Sequence, residues 1–484
     1  MLLDLRPVLW GVGLLLSAFA VVMALPALAC ALAHDGECPM FLAVAGLSLF
    51  CGQVLVFANL QHRTRPFTVR QGILLAAFGW LTLAIAGAMP LMFGAPHLST
   101  ADAIFESVNG ITASGGSVLR HLDHASPGLL LWRALMQWMG GIGILGLSAM
   151  VLPDLNVGGM QLFRSETARL DDRLIQRARR LLSGIMGIYL GLTVLLFLLL
   201  WVAGMTPFEA LLHALTTISC GGFSSDDASI GHWRNAGVDW VILLGMLLGG
   251  SPFVLHWQLA RRQWQMAAKN SQVRWFLGLI IGSACAIALW LVIEQNAKPL
   301  PALRHSLFAV TSVMTGTGFA TLDWSRWTGF PLAMLFLLTF VGGCAGSTAG
   351  GIKVFRLQVL LANARLELRR LLRPHVVLLP KFDGQVIPET IAESVLGFLF
   401  VYVLSFALLA MALSLVGMDF VSAIAAAASA LANLGPAVSP AIGPLASFAA
   451  IPTAAKWLLS AGLLFGRLEM FIVLAIFSRG FWRD

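Results

Sequence analysis

The sequence predicts an all-α polytopic membrane protein: an N-terminal transmembrane hairpin, then four repeats of spanning helix, pore helix, filter loop and second spanning helix, set pseudo-fourfold around one cation pore. Three observations predict this. First, hydrophobic residues make up 58% of the 484 and charged residues 11%, against roughly 25% charged in globular chains. A soluble fold of this length would lack polar surface, and the mean hydropathy is +0.85. Second, apolar runs of about 20 residues, enough to cross a bilayer, recur along the chain. Third, four short polar loops interrupt this apolar setting: Thr112-Ala113-Ser114-Gly115, Ile218-Ser219-Cys220-Gly221, Thr315-Gly316-Thr317-Gly318 and Asn433-Leu434-Gly435. Irregular backbone is tolerated at membrane depth only where it lines a cavity or is buried in protein. Four such loops predict one ring around one hole, lined by backbone carbonyls.

The hairpin occupies 1–66, with apolar runs at 8–33 and 40–60. The first run is too long for the apolar core of a cleaved leader and predicts a retained helix. Repeat 1 covers 67–180, with spanning segments at 72–92 and 129–152 around a half-length helix at 99–111. Repeat 2 covers 181–270, with the corresponding segments at 181–204, 206–217 and 238–261. Repeat 3 covers 271–380 (275–295, 301–314 and an interrupted 330–372), and repeat 4 covers 381–484 (391–416, 419–432 and 454–477).

The half-length helices carry start signals. Ser99 with Asp102 and Thr206 with Glu209 have capping-box spacing. Pro207 and Pro301 suit a first turn, where the missing N–H costs nothing. A helix of about a dozen residues rises roughly 18 Å, half the bilayer, so it must enter and turn back. Its carboxyl end, with partial negative charge, then points at the membrane centre and favours a cation there. Short amphipathic helices lying on the surface would explain the length but not the order shared by all four units.

A dehydrated cation needs several oxygens in place of its water. Backbone carbonyls supply them when successive residues alternate between left- and right-handed conformations, and glycine takes the left-handed one without strain. The small side chains of Ala113, Ser114, Ser219, Cys220 and Thr317 let the loops approach closely. Asp226, Asp227 and Asp323 follow the second and third loops and form a candidate acidic mouth that concentrates cations, or serve as ordinary loop acids.

The net charge of +8 does not indicate nucleic acid, because the basic residues sit in alternate loops, including Arg63, Arg65 and Arg70, then 164–180, 261–274 and 356–381. That asymmetry is the positive-inside signal and places both termini in the cytoplasm. The six cysteines lack a C-x-x-C pair and read as small core residues, with a Cys30–Cys38 disulfide left open. Gly141 to Gly146 matches a dinucleotide fingerprint but lies inside a membrane helix. Gly346 to Lys353 is no phosphate loop, since Ile352 stands where glycine must precede the lysine. His213 and His305 lack a ligand-spaced partner. No nucleophile–base pair, paired histidines or intramembrane acid is evident, so the chain reads as no enzyme, with no organic cofactor.

The last helix of repeat 3 is interrupted by glycine-rich sequence from Gly342 to Gly351. A continuous helix is not expected through it. The candidate gate comprises Gly346, Ser347, Thr348, Gly350, Gly351 and Lys353; a hinge or packing surface is the alternative. Arg467 lies inside an apolar helix, where a charge costs at least roughly 2.5 kcal/mol. It predicts either a role below the loops, shaping the potential or tethering the gate, or a structural ion pair.

Specific stretches then point to a family. They include Phe105-Glu106-Ser107-Val108-Asn109-Gly110, Trp138-Met139-Gly140-Gly141-Ile142-Gly143, Val157-Gly158-Gly159-Met160-Gln161, Arg164-Ser165-Glu166-Thr167, Gly221-Gly222-Phe223-Ser224, Gly350-Gly351-Ile352-Lys353 and Gly466-Arg467-Leu468-Glu469. With these the chain resembles the Trk/Ktr/HKT superfamily of potassium transporters, most closely the TrkH-type membrane subunit of bacterial Trk systems, over almost its whole length. The resemblance implies potassium uptake across the bacterial inner (cytoplasmic) membrane, with K+ as the transported ion and Gly115, Gly221, Gly318 and Gly435 as the filter glycines. It implies an intramembrane gating loop, a homodimer and a TrkA-type cytoplasmic nucleotide-binding ring. Glycine at 115 favours potassium over sodium in that family. Ala113, Cys220 and Leu434 depart from threonine-rich versions of the loops, so the filter is expected to discriminate less than a symmetric channel. Arg164–Arg180 and Arg365–Arg373 are candidate docking faces for the ring, or anchors to membrane lipid. A sodium- or proton-coupled symporter is the alternative function.

Overall fold

A computed structural model describes residues 3–62, 67–150, 172–265, 270–373, 381–382 and 385–482. Among them, seven helices are long and apolar enough to cross a membrane, and two bent helix pairs bring the number of spans up to nine. The hairpin consists of α1 (Arg6–Val22) and α2 (Ala24–Ala33), which form one span, followed by α3 (Cys38–Ala58). Repeat 1 contains α4 (Val69–Phe93), α5 (Thr100–Ile111) and α6 (Pro127–Met150). Repeat 2 contains α7 (Asp172–Val202), α8 (Pro207–Ile218), α9 (Ala236–Gly250) and α10 (Phe253–Ala260). Repeat 3 contains α11 (Ser271–Gln295), α12 (Pro299–Thr315), α13 (Phe330–Val341) and α14 (Val354–Leu372). A minimal antiparallel pair, β1 (Lys381–Phe382) and β2 (Gln385–Val386), leads into repeat 4. That repeat contains α15 (Glu389–Leu415), α16 (Phe420–Ala432), α17 (Thr453–Arg467), α18 (Met470–Phe477) and the short α19 (Arg479–Trp482).

The half-length helices α5, α8, α12 and α16 are enclosed by protein. Most residues in the second half of each are buried. They are therefore not surface-lying amphipathic helices, and their apolar neighbours, such as Leu190, Val202 and Leu415, face outward instead. The expected starts are present. Ser99 accepts from the Asp102 N–H, and Thr206 and Glu209 form a complete capping box. Asp419, not singled out in the sequence as a cap, also accepts from the Ser422 N–H. The α12 helix starts earlier than expected, with Pro299 in its first turn. In α16 the run Ala425–Ala428 is wholly buried, its small side chains letting the neighbouring helices approach.

Two spans expected to be continuous are broken. The 238–261 span bends by 101° between α9 and α10, at Ser251-Pro252. Pro252 lacks the N–H that the next helical turn requires. The 454–477 span bends by 106° between α17 and α18, where Glu469 takes a left-handed φ of 61°. No proline stands there. Instead Arg356 from α14 donates to the Glu469 carboxylate at 2.8 Å and holds the turn. The interruption expected in repeat 3 is present, spanning Gly342 to Lys353 between α13 and α14. Cys30 and Cys38 are separate thiols, and Cys30 is buried with its Sγ against Gly128.

Candidate ion pathway

All four half-length helices, α5, α8, α12 and α16, end in the same hydrogen-bond pattern. The residues Ala113, Cys220, Gly316 and Asn433 adopt left-handed φ values of 50°, 54°, 75° and 54°. Each N–H donates three residues back, to the carbonyls of Gly110, Thr217, Val313 and Ala430. The next residues, Ser114, Gly221, Thr317 and Leu434, donate five residues back, to Asn109, Thr216, Ser312 and Ser429 at 2.8 to 3.0 Å. This is the Schellman ending of a helix, which satisfies its last carbonyls and reverses the chain. Three of the four left-handed positions hold a residue other than glycine.

That pattern corrects the register of the second loop. By equivalent hydrogen bonds, Gly221 stands with Ser114, Thr317 and Leu434, and Ile218 is still the last residue of α8. The residue that corresponds to Gly115, Gly318 and Gly435 is therefore Gly222, not Gly221. Gly222, Gly318 and Gly435 share left-handed φ values of 80°, 82° and 91°, whereas Gly115 lies outside that region.

The loops close on one another in cyclic order. A methyl group added at Gly115 would lie 3.1 Å from the carbonyl oxygens of both Gly221 and Thr317. One added at Gly222 would overlap the Thr317 carbonyl, one at Gly318 would lie 2.8 Å from the Leu434 carbonyl, and one at Gly435 would overlap the Gly115 backbone nitrogen. Side chains are excluded from these glycine positions by backbone of the neighbouring loops and, at Gly115 and Gly318, also by the Pro436 ring.

Three buried polar residues that bear on these loops were not singled out in the sequence. Gln137 on α6 donates through Nε2 to the Ser114 carbonyl (2.9 Å) and the Gly221 carbonyl (2.7 Å), and its Oε1 accepts from the Phe223 N–H (3.1 Å). One turn earlier, Arg133 donates to Glu106 (2.8 Å), Ser117 Oγ (3.0 Å) and the Ser224 carbonyl (3.2 Å), with its guanidinium over the Phe223 ring. Glu106, fully buried in α5, also accepts from Ser117 Oγ and the Val118 N–H. Arg467 is thus not alone among buried charges, and an intramembrane acid is present after all. The available signal was the i, i+4 spacing of Arg133 and Gln137 inside an apolar span. Breaking a buried pair costs about 3–5 kcal/mol. Arg133→Met is accordingly expected to lower the melting temperature of the detergent-solubilised protein, and adding Glu106→Gln to recover part of the loss; equal stability of Arg133→Met and wild type would refute the strut.

The candidate mouth acids are engaged in local ties. Asp227 accepts from the N–H groups of His121 (2.7 Å) and Leu122 (3.2 Å), joining the outer loops of repeats 1 and 2. Asp226 contacts His232 at 2.7 Å, and Asp323 holds Arg326 at 2.8 Å. His213 and His305 bond to Ser224 and Thr321, respectively.

The Gly342–Lys353 segment sits against the ends of α8, α9 and α16. Thr348 Oγ1 lies 3.0 Å from the Ile218 carbonyl and 3.1 Å from the Gly249 carbonyl, with Cys220 Sγ at 3.3 Å. A methyl group at Gly350 would overlap the Ala432 carbonyl, at the end of α16. The two broken spans grip the segment from either side. The Cys344 N–H donates to the Gly250 carbonyl (3.0 Å), and the Phe253 N–H donates to the Gly346 carbonyl (2.9 Å). From the other side, Arg467 donates through Nη2 to the Thr348 carbonyl at 3.0 Å. Ser347 Oγ donates back to the Cys344 carbonyl, and Gly351 packs on Gly342. Lys353 is buried and lines a small cavity with Gly350, Gly351, Arg467 and Glu469. The structure thus brings together all the candidate gate residues and Arg467. Of the motif stretches, 157–161 and 164–167 lie outside the described residues.

Comparison with known proteins gives a consistent picture. The family model TrkH, described as cation transport protein, matches residues 40–481. Trk system potassium uptake protein TrkI of Halomonas elongata is 38% identical over 99% of this chain and 97% of its own. Trk system potassium uptake protein TrkH of Escherichia coli K12 is 36% identical over 98% of each chain. The crystal structure of the potassium transporter TrkH from Vibrio parahaemolyticus superposes with a TM-score of 0.90 at 34% identity, covering 99% of this chain and 100% of that one.

Proposed function

Because this chain belongs to the TrkH family of cation transport proteins, and is thus a membrane transporter rather than an enzyme, we propose that it is the potassium-conducting subunit of a Trk uptake system. Potassium enters from outside, sheds its water at the four loops and passes inward once the Gly342–Lys353 segment moves aside. The observation that carries this is the common ending of the four pore helices, with their loops in mutual contact and their carboxyl ends converging. Helix ends of that polarity stabilise a cation, and aligned carbonyls replace its hydration shell. The filter comprises Thr112 to Gly115, Ser219 to Gly222, Thr315 to Gly318 and Asn433 to Gly435. Coupled symport is not favoured: symporters are commonly built from inverted repeats, and the four units here run in one order.

The protein resides in the bacterial inner membrane as a homodimer with both termini cytoplasmic, and a TrkA-type nucleotide-binding ring controls the gate. The exposed Arg365, Arg369, Arg370 and Arg373 at the end of α14 support a cytoplasmic docking face, which lipid headgroups can share. The side chains of the 164–180 stretch lie outside the described residues. The test is growth at low potassium. A bacterium lacking its own potassium uptake, supplied with this chain and its ring, is expected to regain growth and rubidium influx. No rescue with both proteins present in the membrane would refute the proposal.

A further inference from the structure

We propose that Gln137 is a positioning residue for ion discrimination, setting the spacing of two carbonyls in the ring from behind the loops. This rests on the conducting role proposed above. The residues Ser114, Gly221, Thr317 and Leu434 form one layer, because they share the same five-back hydrogen bond at the ends of their helices. Two members of that layer, Gly221 and Thr317, have carbonyl oxygens equidistant from the position of a Gly115 methyl group, so the layer borders the common centre.

Gln137 acts on that layer at two points. One side-chain amide nitrogen donates to the carbonyls of both Ser114 and Gly221, which belong to different repeats. Its oxygen accepts from the Phe223 N–H, so the acceptor of the same group fixes the outer end of loop 2. Gln137 is fully buried, and its side chain fills the space that any Cβ at Gly221 would need. An amide has two N–H donors. Both are used on carbonyls of the layer, leaving no donor to rotate toward another partner. The distance between the two carbonyls is therefore tied to the span of one NH2 group.

Loops 3 and 4 are braced differently, by hydroxyls of their own pore helices. Ser312 Oγ donates to the Phe319 carbonyl at 2.6 Å, and Ser429 Oγ donates to the Gly435 carbonyl at 2.8 Å. Those bonds hold residues beyond the layer and join no loop to its neighbour. Gln137 thus cross-links two carbonyls of the layer from neighbouring repeats, on the side of repeats 1 and 2. Discrimination between cations of different radius depends on how far the coordinating oxygens can close in on the smaller one. Removing the cross-link frees two oxygens of the layer to follow a smaller ion.

Two variants test this. Gln137→Met keeps the length and burial but removes both donors, whereas Gln137→Glu keeps the shape and places carboxylate oxygens against the two carbonyls. Both are purified, checked for monodispersity and melting temperature, and reconstituted for parallel rubidium and sodium flux. Gln137→Met is expected to reduce the rubidium-to-sodium flux ratio by on the order of tenfold, the scale of losing the hydrogen bonds of one buried group. Gln137→Glu is expected to reduce it further. A folded Gln137→Met with an unchanged ratio would overturn the inference while leaving the conducting role intact, whatever its total flux. Failure of both variants to fold would also overturn it, since Gln137 would then be a structural strut. If the wild-type protein carries no rubidium, the conducting role falls, and this inference with it; if it carries rubidium and sodium equally, this inference alone falls.

Discussion

Gly222→Ala is expected to abolish uptake, while Gly115→Ser leaves a conducting protein that rejects sodium less well. The two glycines stand at equivalent positions of neighbouring loops, yet their surroundings differ. Gly222 has a φ of 80°, and a Cβ there would overlap the Thr317 carbonyl oxygen. The left-handed conformation alone costs an ordinary residue about 1–2 kcal/mol. The overlap is with backbone, which cannot swing away as a side chain would. Together these are expected to reduce uptake by about a hundredfold or more, corresponding to about 3 kcal/mol. Gly115 has no left-handed φ, and its added Cβ would lie 3.1 Å from two carbonyl oxygens. That contact is tight but needs a shift of only a few tenths of an ångström. The serine hydroxyl then adds an oxygen beside the ring, so flux is expected to stay within about fivefold of wild type, a cost below about 1 kcal/mol, while sodium influx rises. Gly146→Ala is the control, since nothing lies within 4 Å of its Cβ position. Rubidium and sodium influx in the uptake-deficient strain measure all three. Gly222→Ala as active as Gly146→Ala would show that the register assigned to the second loop is wrong.

Arg467→Met is expected to raise flux in the absence of the cytoplasmic ring by about tenfold or more. Arg467 is buried and holds the proposed gate segment through the Thr348 carbonyl at 3.0 Å. A hydrogen bond from a charged donor contributes about 1.5–3 kcal/mol. Losing it from the closed state alone shifts the open population by about ten- to a hundredfold. The buried positive charge beneath the loops would also oppose a passing cation, so its removal acts in the same direction. Thr348→Val separates the two effects, because it removes only the hydroxyl that reaches the Ile218 and Gly249 carbonyls. A smaller increase is expected there. Deleting Gly346 to Gly351 is expected to give the largest leak. Reconstituted flux without the ring is the measurement, and an unchanged or reduced flux in folded Arg467→Met would refute the tether.

Much of this architecture was legible in the amino-acid order because it follows from local rules. Capping signals at Ser99 and Thr206 mark helix starts wherever the helix is placed. The glycine density from Gly342 to Gly351 forbids a helix by backbone entropy alone. A dozen apolar residues cannot span a bilayer, which set the half-length helices apart from the spanning ones. The Ser251-Pro252 bend also carried a local signal, the proline itself, although the span around it was expected to be continuous.

Other features depended on partners far along the chain. Two adjacent glycines, Gly221 and Gly222, left the register of the second loop ambiguous. It is decided by where α8 ends and by Gln137, whose side chain occupies the space beside Gly221. The turn at Glu469 has no breaker in its own sequence; Arg356, 113 residues away, holds it. Gln137 reaches carbonyls 23 and 84 residues away, and nothing in the composition of α6 specifies those targets. Four half-length helices, each ahead of a loop, and the break between α13 and α14 were thus readable in the order of residues, because periodicity, capping and backbone freedom are local properties. Which glycines share a layer, what braces them and what holds the Gly342–Lys353 segment depend on the three-dimensional packing, because a buried polar group takes its partner from whatever that packing brings within reach.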